Sequence, residues 1–177
     1  MLEKNKILKM AQIDTTLGAV IAIADDEYLH LLEFIDRRGL EREVESLRKK
    51  LKATIVPGET QIINSIKSEI SQYFVGKNVE FKTPIYLNGT SFQKSVWVEL
   101  KKIPSSETRS YLDIAKSLKK PTAFRAVAQA NSANSFAIIV PCHRVINANG
   151  KLGGYAGGIT RKQWLLEHEK KLIRKNK

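Results

Sequence analysis

Cysteine is nearly absent from this 177-residue sequence, in which Cys142 is the only one. A single cysteine cannot form a disulfide within the chain, and it excludes the zinc sites that need several thiolates. The three histidines, His30, His143 and His168, are scattered along the sequence without the spacing of metal ligands. We therefore expect no bound metal.

Long hydrophobic runs are also lacking, because no apolar stretch approaches the ~18 residues that a membrane-spanning helix needs. The longest, at residues 19–24 and 137–140, are only long enough for strands. The first residues are charged and lack the apolar core of a secretory signal. With 42% hydrophobic and 27% charged residues, the composition predicts a globular cytoplasmic protein of one or two domains, without a membrane partner.

Acidic residues are scarce in the second half of the chain. Residues 1–84 contain 13 Lys or Arg and 13 Asp or Glu, whereas residues 85–177 contain 17 and 5, so the second half carries the whole net charge of +12. A basic half beside a neutral half indicates contact with a polyanion, for which nucleic acid is the leading candidate. The alternative is a basic surface that only keeps the protein in solution.

The first half predicts a small α/β unit with a mostly antiparallel sheet. Three β-rich segments follow one another across short turns, which favours a meander. Helical spacing of apolar residues marks two helices around a further short strand. The second helix would bury Ile62, Ile63, Ile66, Ile70 and Phe74. The predicted elements are strands 9–14, 19–25, 28–35 and 54–56 and helices 40–51 and 59–74.

The second half predicts a mainly helical domain. Helix 110–118, with Ser110 as its N-cap, and helix 122–131 are separated by a tight break at Pro121, which suits a helix-turn-helix but also ordinary packing of two helices. A short apolar strand at 136–140 leads into Cys142. The other predicted helices are 91–103 and 164–172. The predicted organisation is a scaffold domain at 1–84, a linker at 85–89, a second domain at 90–172 and a basic tail at 173–177.

Cys142 is flanked by His143 and Arg144. A thiol is a weak nucleophile until it ionises, with an ordinary pKa of about 8.5. A neighbouring imidazole that takes the proton, itself held by a carboxylate, is the general remedy. The alternative is that Cys142 is an inert, small apolar residue.

The segment at residues 139–146, Ile-Val-Pro-Cys-His-Arg-Val-Ile, resembles the active-site signature of the O6-alkylguanine-DNA alkyltransferases, also called methylated-DNA–protein-cysteine methyltransferases. The resemblance extends without gaps over residues 90–170, which is a specific signal. It includes Phe-Gln at 92–93, Arg-Ala-Val at 125–127 and Gly-Gly-Tyr-Ala-Gly-Gly at 153–158. The departures are Ser106 and Ala128 where Gly is usual or frequent, Ser135 where Pro is usual, and Phe124, which is bulkier than the residue of some members.

The resemblance implies a ribonuclease-H-like first domain and a helical second domain with a helix-turn-helix. It also implies a DNA repair protein, a monomer, that binds double-stranded DNA containing alkylated guanine. The protein would flip the damaged nucleotide and move the alkyl group from O6 irreversibly to Cys142, once per molecule. No cofactor is implied, because the DNA itself is the alkyl donor.

The family's catalytic roles are carried over residue by residue. Cys142 would be the acceptor, while His143 would withdraw its proton through a water and Glu169 would hold the imidazole. Asn134 resembles the asparagine that ties the end of the recognition helix to the turn carrying the cysteine. Tyr111 resembles the tyrosine that helps rotate the nucleotide and protonates the leaving guanine.

The same resemblance implies the residues that would meet DNA and the extruded base. Arg125 would fill the gap left in the duplex, because extrusion costs a few kcal/mol that an inserted side chain can offset. The further expected DNA contacts are Tyr111, Lys120, Thr122 and Ala123. The expected base pocket is formed by the carbonyls of Cys142 and Val145 together with Tyr155 and Ala156.

Three other functions fit the sequence less well. A non-catalytic lesion-binding relative would lack the cysteine. A sequence-specific helix-turn-helix regulator would need long polar side chains on its second helix for the major groove, and the alanine-rich helix here favours the minor groove. A cysteine–histidine hydrolase would turn over many times and would not require a basic half.

Overall fold

The computed structural model describes residues 5–77 and 80–175, with the backbone alone at 173–175. The chain divides into two compact units, Met1–Tyr86 and Leu87–Lys177. The side chains of the predicted basic tail at 173–177 lie outside the described part. Within that part, no helix is long and apolar enough to cross a membrane.

The first unit is built on a four-stranded mixed sheet in the order β3-β2-β1-β4. The first three strands form the predicted antiparallel meander, whereas β4 pairs in parallel with β1 after the chain has crossed over through α1. The prediction of an α/β unit with a mostly antiparallel sheet is thus confirmed. The elements are β1 (Lys6–Ile13), β2 (Val20–Ala24), β3 (Leu29–Phe34), α1 (Leu40–Lys50), β4 (Ala53–Pro57) and α2 (Gln61–Phe74).

Two adjacent strands of this sheet, the central β2 and the edge strand β3, are buried along their whole length. Helix α1 contributes Leu40 and Leu47 to a core that includes residues from β1 to β4. Helix α2 buries the four isoleucines that its spacing predicts. The prediction that Phe74 completes this face is wrong, because Tyr73, three residues after Ile70, is the buried aromatic and Phe74 is only partly covered.

The second unit is mainly helical, and two of its helices begin at capping boxes. Thr90 and Gln93 cap α3, while Ser110 and Asp113 cap α4 in the position expected for Ser110. A 3₁₀ turn, Pro121–Ala123, connects α4 to α5. The elements are α3 (Ser91–Lys101), β5 (Arg109–Ser110), α4 (Tyr111–Ser117), α5 (Phe124–Ser132), β6 (Val145–Ile146) and α6 (Ile159–Lys175).

The predicted strand at 136–140 is wrong, although the segment is buried as its composition suggests. The chain turns at Ile138, whose φ is 72°, and the amide of Ile139 bonds the carbonyl of Ala137. Asn134 bonds both the amide and the carbonyl of Phe136 and also the carbonyl of Val140. These backbone groups are satisfied by a side chain, so the segment does not need a strand partner.

The two-residue strands β5 and β6 position the cysteine turn. They pair in parallel, with Arg109 opposite Val145 and Ser110 opposite Ile146. Tyr111 therefore starts α4 directly after a strand that is paired with the residues following Cys142. The end of α5 is joined to the same turn, because Asn131 donates a hydrogen bond of 3.4 Å to the carbonyl of Cys142.

Candidate active site

Cys142 begins a short 3₁₀ turn, Cys142–Arg144, and is only 6% exposed. Its Sγ lies 3.2 Å from Nδ2 of Asn134, which donates to it. A hydrogen bond donated to sulfur favours the ionised form, because it stabilises negative charge on that atom. The arrangement thus brings a hydrogen-bond donor to a buried thiol.

Asn134 lies two residues after the end of α5, in the position that the sequence suggests for a connecting residue. Its Nδ2 also donates to the carbonyls of Phe136 at 3.1 Å and Val140 at 3.0 Å, and its Oδ1 accepts from the amide of Phe136 at 2.9 Å. One buried side chain therefore bonds both ends of the loop before Cys142 as well as the thiol.

His143 and Glu169 form a fully buried pair, with Nε2 to Oε1 at 2.7 Å. Arg144 donates two hydrogen bonds to the same carboxylate, both of 2.9 Å, and a third to the carbonyl of Ile103. Burial alone would raise the pKa of Glu169, but attraction to His143 and Arg144 outweighs it and holds the pKa below its ordinary value. The carboxylate is therefore ionised at neutral pH.

This pairing fixes the protonation of the imidazole. An ionised carboxylate only accepts hydrogen bonds, so Nε2 of His143 carries the proton and Nδ1 presents its lone pair. Nδ1 is buried and has no hydrogen-bond partner among the described residues. Burial, opposed by Glu169, lowers the pKa of His143, so the resting imidazole is neutral and can accept a proton.

Ser106, one of the departures from the family pattern, contributes to this pair. It has a left-handed backbone with φ 69°, the conformation for which glycine is the usual residue. Its amide points at Oε2 of Glu169 at 3.5 Å. The replacement of the usual glycine therefore keeps the backbone conformation, at the cost of some strain.

Lys162 is a buried ammonium to which the sequence gives no role. Its Nζ donates to the carbonyl of Val145 at 2.5 Å and to that of Gly154 at 3.1 Å. Burial, opposed by the nearby Cys142, lowers its pKa to about 8. Lys162 thus joins the strand after the cysteine turn to the glycine-rich loop, and it places a positive charge within reach of the thiol.

Tyr111 stands at the start of α4 beside the glycine-rich loop. Gly153 of this loop has φ 70°, where any other residue would be strained, and a Cβ there would lie 3.4 Å from the hydroxyl of Tyr111. Burial and the neighbouring Cys142 raise the pKa of Tyr111. The phenol therefore keeps its proton and is available as a donor.

The remaining expected pocket residues lie around the same turn. Val145 is buried, and its carbonyl already accepts from Lys162, which leaves one lone pair for another donor. Tyr155 is partly buried, while Ala156 is exposed on the loop.

Apart from the half-buried Tyr111, the residues expected to contact DNA lie at the surface of the second unit rather than in the buried cluster. Lys120, Thr122 and Arg125 are exposed, and Ala123 is partly exposed, on the turn between α4 and α5 and on the first turn of α5. Lys120 Nζ lies 5.4 Å from the centre of the Phe92 ring. This surface joins the cysteine turn through Asn131 at the other end of α5.

Helical spacing in the sequence does indicate that two charged residues of α6 are buried. Lys162, Leu165, Glu169 and Leu172 recur at spacings of three and four, so the two charged residues occupy the apolar stripe of α6. Charged residues are almost never fully buried unless they are paired. Such positions therefore indicate partners in the site, which for Glu169 include Arg144, a residue to which the resemblance assigns no catalytic role.

Comparison with known proteins agrees with this architecture. Residues 91–171 match the family model of the 6-O-methylguanine DNA methyltransferase DNA-binding domain. A methylated-DNA–protein-cysteine methyltransferase of Methanosarcina acetivorans is 40% identical over 161 residues, which cover 90% of this chain and 96% of the relative. A second relative with that name, from Mycobacterium tuberculosis, is 55% identical over 102 residues, covering 58% of this chain and 62% of its own.

The solved structures give the same result for the whole fold. The OGT of Mycobacterium tuberculosis in complex with DNA superposes with a TM-score of 0.80 at 39% identity, covering 93% of this chain and 94% of that one. This chain thus has a mixed sheet, a helical region and a buried cysteine that directly precedes a histidine paired with a carboxylate. The chain belongs to the methylated-DNA–protein-cysteine methyltransferase family.

Proposed function

We propose that this chain is a DNA repair methyltransferase that moves an alkyl group from O6 of guanine in DNA to Sγ of its own Cys142, once per molecule. The observation that carries the proposal is the buried thiol, bonded by Asn134 and adjacent to a neutral imidazole held by Glu169. These are the parts that an activated cysteine needs.

The proposed reaction begins with a proton leaving the thiol for Nδ1 of His143 through a water molecule. The thiolate attacks the alkyl carbon, the C–S bond forms, and the C–O6 bond breaks with its electron pair staying on guanine. Tyr111 donates its proton to the leaving base and is then reprotonated by the imidazolium. A thioether has no ordinary hydrolytic exit, so the protein is not regenerated.

The proposed base pocket uses backbone groups of the cysteine turn and the glycine-rich loop. The carbonyls of Cys142 and Val145 accept from the exocyclic amine of guanine, and the backbone amide of Ala156 donates to O6. Tyr155 covers the ring. Lys162 supports this pocket by fixing the Val145 carbonyl and the loop that carries Tyr155 and Ala156.

The proposal extends to the wider organisation. Residues 1–84 form a ribonuclease-H-like scaffold, 85–89 the linker, and 90–172 the DNA-binding and alkyl-acceptor domain. Helices α4 and α5 act as a helix-turn-helix on double-stranded DNA, with α5 in the minor groove. The damaged atom lies inside a base pair, so the nucleotide must be flipped before a side chain can reach it. We place the protein inside the cell, as a monomer on DNA.

Stoichiometric transfer tests the function. With excess duplex containing O6-methylguanine, the intact mass of the protein should rise by one methyl and then stay constant, and peptide mapping should place the methyl on Cys142. Cys142→Ser should gain nothing under the same conditions. Repeated turnover, or a methyl on another residue, would rule out the proposed reaction.

Alkylation should also destabilise the fold. A methyl group on Sγ would crowd the Asn134 amide, which lies 3.2 Å from the sulfur, and would abolish the negative charge that this hydrogen bond stabilises. The same amide also donates to the carbonyls of Phe136 and Val140, so its displacement would disturb the loop before Cys142. Disturbing a buried hydrogen bond costs about 1–3 kcal/mol, which corresponds to a fall of several degrees in the unfolding midpoint.

The measurement is thermal unfolding after transfer, with the DNA removed by high salt. Protein incubated with unmodified duplex, and Cys142→Ala incubated with methylated duplex, are the controls and should keep their midpoints. An unchanged midpoint for the methylated native protein would show that Asn134 does not couple the thiol to the fold.

A further inference from the structure

Phe124 is the first residue of α5 and is 43% exposed. Among the described residues of the second unit, no other aromatic side chain is as exposed. Single exposed apolar side chains are common on protein surfaces, so it is the position of this ring beside Arg125, rather than its exposure alone, that suggests a role. The roles carried over from the family do not include Phe124, and the residue departs from the smaller one that some members have.

The surroundings of this ring are basic. The guanidinium carbon of Arg125 lies 5.9 Å from the ring centre, within the range of a cation–π contact. Lys116, Lys119 and Lys120 are exposed on the neighbouring helix and turn. Exposed aromatic rings among lysines and arginines are typical of surfaces that combine phosphate contacts with stacking on bases.

The rest of the exposed face of α5 carries mostly short side chains. Ala126 and Ser132 are small, and Gln129 is the only longer side chain beyond the first turn. The opposite face, with Val127 and Ala130, is buried. Phe124 and Arg125 are therefore the two side chains at the start of this helix that project far enough to enter a base stack.

We propose that Phe124 is a second wedge, which enters the minor groove beside Arg125 and stacks on the base pair next to the vacated position. The inference rests on the proposed function, in which the nucleotide is flipped. Arg125 offers hydrogen bonds to the unpaired base, whereas an apolar ring replaces the stacking that flipping removes. Phenylalanine is one of the residues that proteins insert between base steps from the minor groove.

The test compares single-turnover methyl transfer on three substrates: a duplex with O6-methylguanine, the same strand alone, and the free O6-methylguanine base. Phe124→Ala should slow transfer from the duplex about tenfold, since stacking on an aromatic side chain contributes that order of binding energy. The strand alone should be affected less and the free base least. Phe124→Trp should keep the duplex rate near that of the native protein.

Val98→Ala is the matched control, because it removes another exposed apolar side chain from the same unit, on α3. It should leave all three rates unchanged. Equal losses on all three substrates with Phe124→Ala would mean that the ring supports the fold or the pocket. An undiminished duplex rate would also overturn the wedge. A native protein that transfers nothing would instead overturn the proposed function.

A second comparison separates a wedge from a residue that merely orients its neighbour. If Phe124 stacks on DNA, Phe124→Ala should still slow the duplex reaction several-fold when Arg125 is already Ala. If the ring acts only by holding the Arg125 guanidinium, the second substitution should add nothing. The absence of an added effect would therefore overturn the inference.

Discussion

Replacing Glu169 with glutamine is expected to slow methyl transfer at neutral pH by roughly 100-fold or more, a loss typical of damaged acid–base catalysis. The amide keeps the shape of the carboxylate but not its charge. The imidazolium that forms when His143 takes the proton then loses its counter-charge. Arg144, whose guanidinium shares the same carboxylate, loses its partner as well.

The pH dependence identifies the cause of this loss. The pKa of His143 is already below its ordinary value, so the native rate should stay level through neutral pH and fall only in acid, where the imidazole becomes protonated. In Glu169→Gln the imidazole is a poorer base, and transfer has to rely on unassisted ionisation of a thiol. Its rate should rise with pH towards about 8.5, where an ordinary thiol ionises, and approach the native rate there.

Glu167→Gln is the control, because it makes the same chemical change two residues earlier on α6 at an exposed position. It should leave both the rate and the pH profile unchanged. Glu169→Gln should also lower the unfolding free energy by about 3 kcal/mol, as expected when a buried ion pair loses one partner. All rates are therefore measured at a temperature well below the thermal unfolding midpoint of Glu169→Gln. A uniform loss at every pH would mean that Glu169 only supports the fold.

Helix α6 shows how far the sequence predicts this site. The resemblance pointed to Glu169, and the sequence predicts a helix at 164–172, whereas α6 begins earlier, at Ile159. The three carboxylate bonds to His143 and Arg144 depend on residues more than 20 positions away, so helical spacing could not supply them. Spacing could, however, have indicated that Lys162 and Glu169 face the interior.

The loop before Cys142 shows where pattern reasoning failed. Residues 136–140 are all apolar, and an apolar run is compatible with any buried backbone. The structure satisfies that backbone with the Asn134 side chain and a turn at Ile138, where a β-branched residue with positive φ is unusual. A strand needs a partner strand, and local composition does not reveal whether one exists.

Replacing Arg125 with alanine is expected to slow transfer from a duplex by roughly 100-fold, because flipping costs a few kcal/mol that the inserted side chain offsets. Transfer from the free O6-methylguanine base should change little, since Arg125 is exposed on α5 and lies outside the buried cluster around Cys142. Single-turnover rates on the two substrates make the comparison. Arg125→Lys keeps the charge without the planar guanidinium, so it should recover only part of the duplex rate.

The salt dependence of duplex binding distinguishes insertion from a phosphate contact. DNA binding through the basic second unit should weaken steeply as the salt concentration rises. Each lost phosphate contact should reduce the slope of log affinity against log salt concentration by about 0.9. Arg125→Ala should leave that slope nearly unchanged if the side chain occupies the gap in the stack. A slope reduced by one contact, with duplex transfer slowed only in proportion to binding, would assign Arg125 to the phosphate backbone instead.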